Sequence, residues 1–69
     1  MLFEEFLKLI DPERKRAVWI ECWCQNFDIM ECKVNSASEF CNGLYGRKIV
    51  GLIAKEQDCF IVVLEPEGE

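Results

Sequence analysis

The sequence predicts a single α+β domain, in which a short N-terminal helix packs on a mostly antiparallel four-stranded sheet, in the order α-β-β-α-β-β. Three observations predict it. The 69 residues are enough for one domain only. The apolar residues near the start recur at helical spacing. Four later segments are rich in strand-forming residues and are separated by turn residues. We therefore treat residues 1–69 as one domain, with residues 65–69 as a flexible tail.

The opening helix is predicted over residues 2–10. Its apolar residues lie at positions i, i+3, i+4 and i+7, which form one face of a helix. They are Phe3, Phe6, Leu7 and Ile10. Asp11 ends the helix, because a residue before proline is disfavoured in the helical conformation. A helix this short is unstable alone, so we expect its aromatic face to pack on the sheet.

Four strands follow the helix. They are predicted at residues 17–25, 29–34, 47–55 and 59–65. A turn at residues 25–28 joins the first two strands into a hairpin. After this hairpin, Ser36 and Glu39 have the spacing of a capping box, which predicts a short helical crossover. Phe40 and Leu44 are expected to face the core from this crossover.

Alternation along the strands divides their side chains between two faces of the sheet. The face covered by the helix is predicted to hold Val18, Ile20, Cys22, Met30, Cys32, Val34, Phe60, Val62 and Leu64. The opposite face, called the second face below, carries Trp19, Trp23, Ile29, Ile61 and Val63. Monomers seldom expose a large apolar patch. Three interpretations therefore stay open: the crossover covers the second face, a second copy packs on it, or another partner or ligand does.

Self-association is the interpretation that also addresses the small size of the chain. A domain of about 60 residues buries only about 60% of the surface that its unfolded chain exposes, and its core is correspondingly thin. We therefore predict a non-enzymatic interaction or accessory protein that forms a homodimer or larger homo-oligomer through the second face. We predict no enzyme, because the chain has no His and no readable pairing of a nucleophile with a base.

The five cysteines support an alternative hypothesis, a Cys-based metal-binding or redox-linked small protein. Cys22 and Cys24 point to one face of their strand, and we expect Cys32 near them across the hairpin. However, zinc usually takes four ligands, often from a C-x₂-C turn. The odd cysteine count also disfavours a disulfide framework. We therefore expect free cysteines, no bound metal and no cofactor.

The net charge of −5 argues against a protein that binds the phosphate backbone of nucleic acids. Basic residues nevertheless precede the first and third strands. If these strands run parallel, Arg16, Arg47 and Lys48 share one end of the sheet and could bind an anion. In the alternative interpretation, these charges merely oppose aggregation at strand ends.

We expect the protein in the cytoplasm and not in a membrane. No apolar run approaches the roughly 20 residues that span a bilayer. The first residues lack the basic segment of a secretory signal.

The layout of the whole chain resembles that of very small proteins encoded in phages and mobile elements of Gram-positive bacteria. The resemblance is carried by the opening helix at residues 3–10, the hairpin, and the closing strands at residues 46–56 and 60–64. That group is uncharacterised, so the resemblance implies a fold and a genomic setting but no activity.

Overall fold

The computed structural model describes residues 1–26 and 29–66 and confirms the predicted α+β fold class. A short helix is followed by a 3-10 helix, a β-hairpin, a second 3-10 turn and another hairpin. The elements are α1 (Phe3–Leu9), η1 (Pro12–Ala17), β1 (Trp19–Cys24), β2 (Ile29–Asn35), η2 (Asn42–Leu44), β3 (Ile49–Glu56) and β4 (Cys59–Leu64). Each strand begins and ends within two residues of its predicted bounds.

The four strands form one sheet in the order β2-β1-β4-β3. Both hairpins are antiparallel, and the two central strands, β1 and β4, pair in parallel with Trp19 beside Cys59. This parallel pair arises because residues 36–48 cross the sheet and bring the second hairpin alongside the first strand. The sheet is therefore mixed, with two antiparallel pairs and one parallel pair.

The core lies between α1, the crossover and the central strands. Phe3 of α1 is fully buried and belongs to the apolar cluster that also contains Ile20 of β1 and Val62 of β4. The rings of Phe3 and Phe40 meet edge to face, with their centroids 5.1 Å apart. The hydroxyl of Tyr45 accepts a hydrogen bond of 2.7 Å from the backbone N–H of Phe40. The crossover therefore packs on the same face of the sheet as α1.

The predicted crossover helix is a single 3-10 turn. Phe40 and Leu44 are buried, as expected, but Ser36 does not cap a helix. Its hydroxyl instead donates a hydrogen bond of 2.5 Å to the carbonyl oxygen of Lys15. Gly43 and Gly46 also disfavour a longer helix, because glycine costs about 1 kcal/mol relative to alanine in a helix interior.

Cys32 does not lie on the covered face, and its predicted position was wrong. Cys22 is paired with Glu31, because register shifts flank Cys22 along the hairpin. Lys33 takes up part of the irregularity with a left-handed backbone, φ 52°. A shift of one residue moves a side chain to the other face of a strand, and Cys32 is consequently exposed.

Parts of two predicted features fall on residues that the structure does not describe. Residues 27 and 28 of the predicted turn lie outside the described ranges, as do residues 67–69 of the predicted flexible tail. Among the described residues, neither α1 nor the 3-10 segments have the length and apolar character that crossing a bilayer requires.

Candidate functional site: the second face of the sheet

The sheet register brings the predicted second-face residues into one surface. Trp23 is paired with Val63 of β4 on one side and with Ile29 of β2 on the other. Ile61 is the neighbour of Glu21. Trp19 lies at the opposite end of β1 from Trp23, so the two indoles mark the two ends of this surface.

An apolar cleft lies on the second face, at the end marked by Trp23. It has a volume of about 210 Å³ and is lined by Trp23, Ile53, Ile61 and Val63. Gly51 is paired with Val63 and brings no side chain of its own, and a Cβ there would lie 3.4 Å from the Cβ of Val63. The lining is entirely apolar, so the cleft suits an aliphatic or aromatic side chain.

Ile53 belongs to the second face, although the sequence left β3 free to contribute to either face. Pairing with Ile61 decides its direction. The sequence pattern carries no signal for this, because β3 is apolar at successive positions and has register shifts near both ends. Leu52, the preceding residue, is paired with buried Val62 and so lies on the other face.

The crossover leaves the second face open. Phe40 and Leu44 belong to the core cluster on the face that α1 covers. Within residues 1–26 and 29–66, Trp19 is 40% exposed and Ile53 is 52% exposed. The interpretation in which the crossover buries both Trp residues is therefore wrong.

A buried carboxylate lies within this apolar surface. One oxygen of Glu21 accepts a hydrogen bond of 2.6 Å from the indole Nε1 of Trp23. The other accepts one of 2.8 Å from the ammonium group of Lys55. These two bonds, first that from Lys55 and then that from Trp23, hold the pKa of Glu21 below its ordinary value. The carboxylate therefore stays ionised and paired, and it fixes the edge of the Trp23 ring.

Cys22, Cys24 and Cys32 do not form the group that the sequence predicted. Cys22, Cys24 and Cys59 are buried, whereas Cys32 and Cys41 are exposed. The described residues contain no group of three or more His, Cys, Asp or Glu side chains that could hold a metal ion. Burial, with smaller effects of Glu31 and Cys41, raises the pKa of Cys22 to about 12. Its thiol is therefore protonated at neutral pH and is neither a ready ligand nor a ready nucleophile.

The two basic segments lie at opposite ends of the sheet. β1 is parallel to β4, and β3 is antiparallel to β4, so β1 and β3 run in opposite directions. The shared anion site predicted for Arg16, Arg47 and Lys48 required parallel strands. That site is therefore excluded.

Comparison with known proteins finds no family model, no curated protein and no solved structure that matches this chain. The resemblance to small phage-associated proteins stays a prediction.

Proposed function

We propose that this chain is a non-enzymatic interaction protein that self-associates through the second face. The observation that carries the proposal is the exposed apolar cleft formed by Trp23, Ile53, Ile61 and Val63. Exposed Trp19, at the other end of β1, and exposed Ile29, beside Trp23 on β2, extend this apolar surface. The absence of His from the sequence further supports a role other than acid–base catalysis.

The charge distribution favours a second copy as the occupant of the face. The chain carries a net charge of −5, so two copies repel each other over most of their surfaces. On the second face, however, the Glu21 carboxylate is neutralised by Lys55 at 2.8 Å. When two such faces meet, this carboxylate is already paired, and the apolar residues of the two faces are removed from water together.

The extent of the face predicts a weak dimer. Four strands about 4.8 Å apart, each at least about six residues long at about 3.3 Å per residue, form a face of roughly 19 by 20 Å. A standard protein–protein interface buries about 800 Å² of accessible surface on each partner. The flat extent of this face, about 380 Å², is about half of that area. We therefore expect dissociation between about 10 µM and about 1 mM, which corresponds to about 4 to 7 kcal/mol of association free energy.

The test compares two neighbouring residues on opposite faces of β3. Leu52 and Ile53 are both 52% exposed. Ile53→Glu places a charge in the apolar cleft and should leave the chain monomeric up to about 1 mM, because burying that charge costs several kcal/mol. Leu52→Glu adds the same charge on the other face and should retain the dimer. Sedimentation equilibrium over a concentration series measures both, and circular dichroism checks that both variants are folded.

Two outcomes contradict the proposal. The first is an unmodified chain that sediments as an 8.1 kDa monomer at about 1 mM, since even the weakest dimer expected would then be absent. The second is an equal loss of association in Leu52→Glu and Ile53→Glu, which would place the contact at the β3 edge and not on the second face.

A further inference from the structure

We propose that the groove between α1, η1 and the turn at residues 35–38 binds the phosphate group of a small molecule that also has an apolar part. This groove has a volume of about 430 Å³, within the range of about 300 to 1,000 Å³ typical of ligand pockets. It is formed by the α1 side of the molecule and is separate from the cleft on the second face.

The groove concentrates positive charge in an acidic chain. Lys8, Lys15 and Arg16 line it together with one carboxylate, Glu4. Three positive charges and one negative charge give +2, against −5 for the whole chain. Within the described ranges, none of the three cations forms an ion pair with a protein carboxylate. Their charges are therefore available to an anion.

The backbone that carries two of these cations is held from a distant part of the sequence. The side-chain amide of Asn35 donates a hydrogen bond of 2.7 Å to the carbonyl oxygen of Arg16. The hydroxyl of buried Ser36 donates one of 2.5 Å to the carbonyl oxygen of Lys15. The side-chain oxygen of Asn35 in turn accepts a hydrogen bond of 3.0 Å from the backbone N–H of Ala37. These bonds fix the groove before any ligand binds, which lowers the entropy cost of binding.

The remaining lining indicates the kind of anion. Arg16 presents a planar fork of N–H donors, which matches phosphate oxygens in a bidentate arrangement. Ser38 adds a hydroxyl, and Leu7, Pro12 and Tyr45 supply an apolar wall. A phosphate monoester satisfies the cations and the hydroxyl with its oxygens, and its organic group can pack on the wall.

The experiment is a titration followed by ¹⁵N NMR, with inorganic phosphate and with phenyl phosphate at constant ionic strength. We expect saturable shifts at the amides of residues 15–16 and 36–38. Phenyl phosphate should bind more tightly than inorganic phosphate, because its ring adds apolar contact with the wall. Equal affinities for the two probes would overturn the assignment of an apolar part to the ligand.

A matched pair of variants separates this site from general electrostatics. Lys15→Gln and Lys48→Gln each remove one positive charge, but Lys48 lies at the opposite end of the sheet. Lys15→Gln should weaken phenyl phosphate binding by at least about fivefold, as expected for loss of a charge-assisted hydrogen bond. Lys48→Gln should change it by less than about twofold. Equal losses in both variants, or shifts that do not saturate, would overturn the proposal. Ile53→Glu should retain phosphate binding, so the two proposals fail separately.

Discussion

At the scale of single residues, the most informative group is the Glu21 carboxylate. A charged side chain in an apolar face is unfavourable unless it is paired and hydrogen-bonded. Glu21 meets this condition with Trp23 and Lys55, at 2.6 Å and 2.8 Å. The sequence shows Glu21 between two Trp residues and predicts that its charge is paired or at a rim. The structure supplies the pair, and both partners belong to the second face.

The lowered pKa of Glu21 predicts an effect of pH on stability. A carboxylate whose pKa in the folded state lies below its ordinary value of 4.5 stabilises the fold above that pH. This stabilisation is lost as the pH falls through the lower folded-state pKa. Glu21→Gln should therefore unfold at lower urea concentration than the unmodified chain at pH 7. The difference between the two should shrink towards pH 3. Urea unfolding at a series of pH values measures it.

Glu39→Gln is the matched control for this measurement, because Glu39 is an exposed carboxylate. It should leave the acid dependence of the unfolding free energy nearly unchanged. A Glu21→Gln variant with the same acid dependence as the unmodified chain would contradict the role given to the pair.

At the scale of elements, the central strand β4 and the edge strand β3 differ in their burial and in whether a further strand could pair with them. β4 lies between β1 and β3, and its residues Val62 and Leu64 are fully buried. β3 lies at an edge, where unpaired backbone groups invite further strands. Its beginning is covered by the N-terminal segment, since the N–H of Ile49 donates to the Met1 carbonyl oxygen at 2.8 Å. Register shifts near both ends of β3 interrupt the rest of the edge.

This difference predicts unequal costs for the same truncation. Leu64→Ala should lower the free energy of unfolding by about 3 kcal/mol, because it leaves a cavity beneath α1 and the crossover. Leu52→Ala, at a side chain that is 52% exposed, should lower it by less than about 1 kcal/mol. Urea unfolding at low protein concentration measures both without a contribution from association. Similar losses at the two positions would contradict the arrangement in which β4 is central and β3 is an edge.

At the scale of the whole molecule, size and charge set the limits on assembly. The accessible surface of 4603 Å² is close to the roughly 4,500 Å² expected for a folded monomer of 8.1 kDa. A single chain is therefore about as compact as a folded monomer of this mass. What distinguishes its surface is the apolar cleft of the second face, beside which the Glu21 carboxylate is paired with Lys55, in a chain of net charge −5.

The proposed dimer should therefore become tighter as salt is added. Between about 0.01 M and about 1 M salt, the screening length falls from about 30 Å to about 3 Å, which removes the repulsion between two acidic chains. The melting temperature should also rise with protein concentration, because association stabilises the folded state. Sedimentation and thermal unfolding measure these effects. Ile53→Glu is the control and should show neither effect. Association that weakens with salt would contradict contact through the apolar second face.

Much of the fold was predictable because local patterns determine it. Helical spacing of Phe3 and Leu7 predicted α1, and alternation along β1 predicted that Ile20 and Cys22 lie on the covered face. Most of the candidate site was also predictable, since Trp23, Ile61 and Val63 follow from that alternation. Ile53 was not, because β3 is apolar at successive positions and local pattern cannot assign its faces. Cys32 was misplaced because register shifts interrupt the alternation in β2.

The sequence by itself determined that this chain is one small α+β domain with an apolar face that a single short helix leaves open. That follows from the spacing of apolar residues within short segments, because this spacing decides which side chains share one face of a helix or strand. Only the tertiary structure decided the strand order, the position of the crossover and the separation of Arg16 from Lys48. These depend on pairing between segments far apart in the chain, and such pairing is set by how the elements bury their apolar faces together.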